Sequence, residues 1–91
     1  MKKVTMFTMK TCPYCKAALR WMDELFKENA KYKALEIEKI DEVAHPDIAE
    51  QYDYYYVPTY YVGSTKLHEG PASLEKIRRV FDAALEVTIH G

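Results

Sequence analysis

The sequence predicts an α/β fold: a mixed four-stranded sheet with helices on both faces, in the order β-α-β-α-β-β-α. Three observations predict it. A short β-prone run, Lys3 to Thr8, leads into a long stretch of helical periodicity. A second alternating run follows that helix, and strand, helix, strand in succession implies a parallel, right-handed crossover. Towards the C-terminal end two short strand-like runs flank a Gly63-Ser64-Thr65 turn, which makes an antiparallel hairpin.

The first strand, Lys3 to Thr8, is rich in Val, Thr, Met and Phe, and Met9, Lys10 and Thr11 turn the chain. From Pro13 to about Asn29 the period becomes helical, with Ala18, Met22, Leu25 and Phe26 on one face and Leu19 beside it. Pro13 suits the first helical turn, where its missing N–H is not needed. Trp21 reads as packing on this helix, and Lys27, Glu28 and Lys31 mark its solvated end. Tyr32 to Ile40 alternates, Leu35, Ile37 and Ile40 against Glu36, Glu38 and Lys39, and reads as a partly exposed second strand. Asp41, His45 and Pro46 lead into a short helix, Asp47 to about Tyr52, with Ile48, Ala49 and Tyr52 facing inward.

Val57-Pro58 breaks the chain before a β-branched and aromatic strand, Thr59 to Val62. The hairpin returns through Lys66 to Glu69 and ends at Gly70-Pro71. Ser73 is the expected N-cap of a last helix, with Glu75 in its first turn and Leu74, Ile77, Phe81, Ala84 and Leu85 on its apolar face. Val87 to Gly91 reads as a short tail that frays. No repeat, linker or low-complexity segment interrupts the pattern.

At 91 residues the chain is one domain, spanning residues 1–91. A net charge of −1 points to neither a nucleic-acid groove nor a strongly anionic surface. The N-terminus has no apolar run with a small-residue cleavage site, and no stretch approaches the roughly 20 apolar residues of a membrane helix. The expectation is a cytoplasmic monomer without nucleic-acid or membrane partners.

The chain's two cysteines both lie in Cys12-Pro13-Tyr14-Cys15, at the junction of the first strand and first helix. Thiols spaced this way on a first helical turn face each other closely enough to bond. A helix start also favours the thiolate form of a thiol placed there. In a reducing compartment such a pair is catalytic or metal-binding rather than a structural staple. Zinc needs about four ligands, and His45, His68 and His90 do not stand at ligand spacing to the motif. Thiol–disulfide exchange is the leading reading. The alternative is an iron–sulfur or metal-binding module using Cys12.

With Cys12-Pro13-Tyr14-Cys15 after the first strand and Val57-Pro58 entering the third, essentially the whole chain resembles a glutaredoxin of the thioredoxin fold. The resemblance implies that Cys12 is the attacking thiol, Cys15 the resolving thiol, and the two together a redox-active disulfide. It implies a cis Val57-Pro58 bond lying against that disulfide, with the Val57 backbone holding the substrate strand. Lys10 matches the basic residue near the glutathione carboxylate, and Tyr14 the aromatic residue of the same groove. Pro13 completes this substrate-binding set and, with Tyr14, tunes the potential.

Disulfide-containing proteins and glutathione mixed disulfides are the implied substrates, with no cofactor required. Glutathione is one implied reductant and a flavoprotein disulfide reductase the other. CPYC places the potential nearer the roughly −200 to −230 mV of glutaredoxins than the −270 mV or so of thioredoxin.

The chain also departs from the family. Many glutaredoxins carry Gly-Gly and then acidic residues at the last helix start, where this chain reads His68-Glu69-Gly70-Pro71-Ala72-Ser73. The acidic contact to the glutathione ammonium is therefore missing, and Glu69 is expected to repel an anionic tripeptide. The segment Asp47 to Tyr52 is more similar to a thioredoxin's. Tyr52, Tyr54, Tyr55, Tyr56, Tyr60 and Tyr61 form an aromatic cluster. Tyr60 or Tyr61 reads as core, while Tyr54 to Tyr56 reads either as amphipathic packing or as a wall that receives a peptide.

Overall fold

A computed structural model describes residues 2–86. Its elements are β1 (Val4–Thr8), α1 (Pro13–Glu28), α2 (Ala30–Lys33), β2 (Ile37–Asp41), α3 (Pro46–Ala49), β3 (Thr59–Val62), β4 (Thr65–Glu69) and α4 (Leu74–Leu85). They build the expected mixed four-stranded sheet, in the spatial order β2-β1-β3-β4. β1 and β2 run parallel across the α1 crossover, and β3 lies antiparallel to both β1 and β4.

Period-two alternation along β1 and β3 divides the sheet's side chains between two cores. Val4, Met6, Tyr60 and Val62 face α1 and α4, where they meet Ala18, Met22, Leu25, Ile77, Val80 and Phe81. Phe7 and Tyr61 point the other way, with Ile40, and are covered by Ile48, Ala49, Tyr52 and Tyr54 from α3 and the segment after it. Burying each large apolar side chain stabilises the fold by about 1.5–3 kcal/mol. Helices thus cover both faces of the sheet, unequally. Trp21 packs at the rim of the first core as expected.

The main correction concerns residues 30–36. The second strand begins at Ile37 instead of Tyr32, and Ala30–Lys33 is a short helix. Asn29 causes this: its side-chain oxygen accepts the Lys31 N–H at 3.0 Å and caps a new turn. Tyr32 is then buried under α4, its ring beside Phe81 and its hydroxyl donating to Asp82 at 2.6 Å. The helix after Pro46 stops at Ala49, short of Tyr52, and β4 begins at Thr65, one residue early. Ser73 caps α4, its Oγ accepting from the Lys76 N–H at 3.2 Å. The tail from Val87 lies outside the described residues.

Candidate active site

β1 delivers the chain to the edge of the core, and a turn closed by the Cys12 N–H on the Met9 carbonyl (3.2 Å) redirects it into α1. Cys12 is the N-cap of that helix, in extended conformation, and Pro13 follows at the first helical position. The Cys12 carbonyl accepts from the N–H groups of Cys15 and Lys16, both at 3.1 Å, which sets Cys15 on the first turn's inner face. The two thiols are thereby given different surroundings. Cys12 is partly exposed, and its Sγ points at the Val57 carbonyl 4.0 Å away. Cys15 is 1% exposed and belongs to the buried stripe of α1 with Ala18, Met22 and Leu25.

Burial pushes the Cys15 thiol above its ordinary range. The Thr8 hydroxyl and Met9 backbone pull it part of the way back, while the neighbouring Cys12 thiol adds to the rise. Deeper in the same core lies Tyr60, whose hydroxyl donates to the Met22 thioether at 3.2 Å. Its phenol is also raised, by desolvation first and then by the Cys15 charge. The inner thiol therefore sits in a dry environment that disfavours charge, and the outer one meets solvent.

Across from Cys12, the Val57–Pro58 peptide bond is cis, as the resemblance implied. Pro58 is fully buried, and its carbonyl accepts from the Gly70 N–H at 2.9 Å. The residues leading into it are tied down by side chains. The Tyr61 hydroxyl donates to the Asp53 carbonyl at 2.7 Å, Tyr54 donates to Glu42 at 2.7 Å, and the Thr59 hydroxyl donates to the Tyr56 carbonyl.

Glu69 supplies the strongest tie. Its carboxylate accepts from the N–H groups of Tyr55 (2.5 Å) and Tyr56 (3.0 Å) and from Lys66 Nζ (2.7 Å). These three donors, Lys66 foremost, push its pKa down to about 2. The sequence sets Glu69 against an anionic tripeptide, and the structure adds what its carboxylate binds. Its negative charge is engaged by Lys66 and two backbone amides.

Of the remaining site residues, Pro13 and Tyr14 are exposed beside Cys12, Tyr14 with 57% of its surface open. Lys10 is exposed in the turn before the motif and lines a shallow groove with Met9, Thr11, Asp41, Val43 and Ala44. His45 lies at the surface as the residue before α3, and His68 Nε2 lies 2.9 Å from the Gly70 carbonyl. His90 is outside the described residues. The tyrosines divide: Tyr60 and Tyr61 are both core, Tyr54 stacks on Phe7, and Tyr55 and Tyr56 are exposed. No described helix is long and apolar enough to cross a membrane.

Comparison with known proteins agrees with this geometry. The family model named Glutaredoxin matches residues 4–66, from β1 into β4. No curated protein matches the chain. Among solved structures, mitochondrial thioredoxin 3 of Saccharomyces cerevisiae in its oxidised form is similar at TM-score 0.72 and 21% identity, over 90% of this chain and 77% of that one. Thioredoxin O1 of Arabidopsis thaliana, also oxidised, is similar at TM-score 0.69 and 21% identity, over 94% and 79% of the two chains. A thioredoxin-like protein from Clostridium perfringens matches all of this chain and 77% of its own, at TM-score 0.69 and 22% identity. These likenesses show a thioredoxin-like fold. Taken with a family match over some two thirds of the sequence, they show that the chain belongs to the glutaredoxin family of thiol–disulfide oxidoreductases.

Proposed function

We propose that this protein reduces disulfides by dithiol exchange through Cys12 and Cys15. One observation carries the reading: an exposed N-cap thiol, a buried thiol one turn on, and the Val57 carbonyl 4.0 Å from the exposed sulfur. The Cys12 thiolate attacks one sulfur of a substrate disulfide. That S–S bond breaks, one substrate sulfur leaves and takes a proton, and a Cys12–substrate mixed disulfide remains. The Cys15 thiol gives up its proton and attacks the Cys12 sulfur. The second substrate thiol is released, and two electrons have passed from the protein dithiol to the substrate. Burial suits Cys15 to the second step, because substrate reaches Cys12 first. The sulfurs carry the electrons, so no cofactor enters the scheme.

Glutathione and a flavoprotein disulfide reductase are the two donor classes that would restore the dithiol, and a reducing compartment such as the cytoplasm suits the cycle. Lys10 and Tyr14 are exposed on the Cys12 side and are proposed to touch substrate. In steady-state reduction of a small aromatic disulfide, Cys12→Ser should abolish turnover. Cys15→Ser should accumulate a mixed disulfide through Cys12, visible by mass spectrometry. Turnover by Cys12→Ser would overturn the assignment. A brown protein with Cys12-dependent visible absorbance would replace exchange by cluster binding.

A further inference from the structure

The segment from Asp53 to Pro58 crosses from α3 to β3 without joining the sheet, and side chains of β4 hold it in place. Glu69 Oε2 accepts from both Tyr55 and Tyr56 N–H groups, at 2.5 and 3.0 Å, and Oε1 takes Lys66 Nζ at 2.7 Å. Lys66 Nζ also donates to the Asp53 carbonyl at 3.2 Å. One acid and one lysine thus close a clamp around three residues.

The clamp has a consequence for the backbone. The Tyr56 carbonyl is taken by Thr59, and the Pro58 carbonyl by Gly70. Among the described residues, the Val57 N–H has no partner, and the Val57 carbonyl meets only the Cys12 thiol. A donor and an acceptor on one residue, beside the exposed sulfur, match the hydrogen-bonding pattern of an extended polypeptide.

It has a second consequence for the rings. Tyr54 is packed on Phe7, yet Tyr55 and Tyr56, next in sequence, are 84% and 69% exposed. Core packing accounts for the first and not for the other two. Aromatic side chains held out on an ordered backbone are what binding anchors look like: large contact area, few rotatable bonds, little ordering left to lose.

We propose that Glu69, assisted by Lys66, is a positioning residue that holds Tyr55 and Tyr56 as a fixed aromatic platform leading into Val57, whose carbonyl faces Cys12, and that this platform selects polypeptide disulfides with apolar flanking residues. The inference rests on the dithiol reaction proposed above and names the substrates that reaction prefers. A glutathione disulfide, with no apolar side chain flanking its cysteine, gains nothing from the platform.

Two synthetic peptides test it, each with one disulfide, flanked by Phe and Leu in the first and by Ser in the second. The wild-type protein should show a KM about tenfold lower for the apolar peptide, some 1.4 kcal/mol of preference, with similar kcat for both. The double variant Tyr55→Ser, Tyr56→Ser should erase the preference. Glu69→Ala should erase most of it, and Glu69→Gln should keep it, because a carboxamide oxygen still accepts both amides.

Equal KM values in the wild type, or a preference that survives the double variant, would overturn the platform. Glu69→Ala and Glu69→Gln behaving alike would overturn the role of Glu69. If Glu69→Ala does not fold, Glu69→Gln must still keep the preference, and the double variant, at exposed positions, still decides the platform. Failure to reduce either peptide would overturn the dithiol reaction and this inference with it. Equal reduction of both overturns the inference alone.

Discussion

The N-cap of α1 is occupied by a residue whose side chain caps nothing: Cys12 has the extended backbone of a cap and no side-chain hydrogen bond into the first turn. A helix start leaves several N–H groups without intrahelical partners. Here Pro13 has none to offer, Cys15 and Lys16 donate to the Cys12 carbonyl, and the Tyr14 N–H has no partner among the described residues. A serine hydroxyl at position 12 accepts from that first turn where a thiol does so poorly. Capping by serine in place of a non-capping residue is worth about 1 kcal/mol. Half to all of that corresponds to roughly 2–8 °C in melting temperature for a domain of this size. Cys12→Ser should therefore melt higher than the reduced wild type while losing all turnover, and Cys12→Ala should lose turnover without the gain. Thermal unfolding followed by circular dichroism under reducing conditions reads both effects. If Cys12→Ser melts at or below wild type, or Cys12→Ala melts as high as Cys12→Ser, the capping argument is wrong.

Other outcomes follow from the same geometry. Iodoacetamide near neutral pH should label Cys12 before Cys15, since one thiol is partly exposed and the other is buried with its acidity weakened; mapped alkylation sites in the reverse order would refute this. Glu69 falls from an ordinary 4.5 to about 2 in the folded protein, so its clamp is at full strength above about pH 4.5 and is lost as pH falls towards 2. The Tyr55 and Tyr56 amide resonances should shift with a midpoint near that lower value, and a midpoint near 4.5 would mean the clamp is absent in solution. Phe81→Ala removes a fully buried ring that stacks on Phe26 at 5.5 Å and tilts on Tyr32 at 5.4 Å. Its cost, about 3–5 kcal/mol, should show as a lower urea midpoint. Glutathione should recycle the oxidised protein slowly and with weak saturation, because by the glutaredoxin resemblance Ala72 and Ser73 replace the acids that would grip its ammonium. Saturable glutathione kinetics in a steady-state assay would contradict that.

Much of the architecture was readable from residue patterns, for reasons that also explain the failures. Thr59 to Val62 was placed correctly because Val57-Pro58 and Gly63 punctuate it on both sides. Ser73 was placed because a capping side chain acts within three residues of itself. Tyr32 was misread because a tyrosine followed by Leu35 and Ile37 fits an alternating pattern, although Tyr32 and Leu35 are also spaced as neighbours on a helix. What decides between them is contact with Phe81 and Asp82, some fifty residues away. Asn29 was the local signal that could have found the extra turn. Val80, buried at 2%, was missed from the apolar face of α4.

Within the site, the Cys12–Cys15 pair was legible from its spacing, and the cis Val57-Pro58 bond only through the glutaredoxin resemblance. Glu69 was legible only as a departure. Its partners come from two segments, the tyrosine run before Pro58 and Lys66 in its own strand, and no periodicity in the chain announces that they meet.

The sheet is open at both rims, β2 on one side and β4 on the other. Each rim is a row of backbone groups that another molecule's strand can copy, the usual route from soluble protein to aggregate. β2 faces solvent with Glu38, which pairs with Lys3 at 2.5 Å, and with Lys39. β4 carries exposed Lys66, and its register against β3 is irregular between Tyr60 and Tyr61. A foreign strand laid along either rim would have to strip water from these charges or follow a kinked ladder. The Val57 backbone groups stay open beside the Cys12 sulfur, while the protein's own rims discourage strand pairing between its copies.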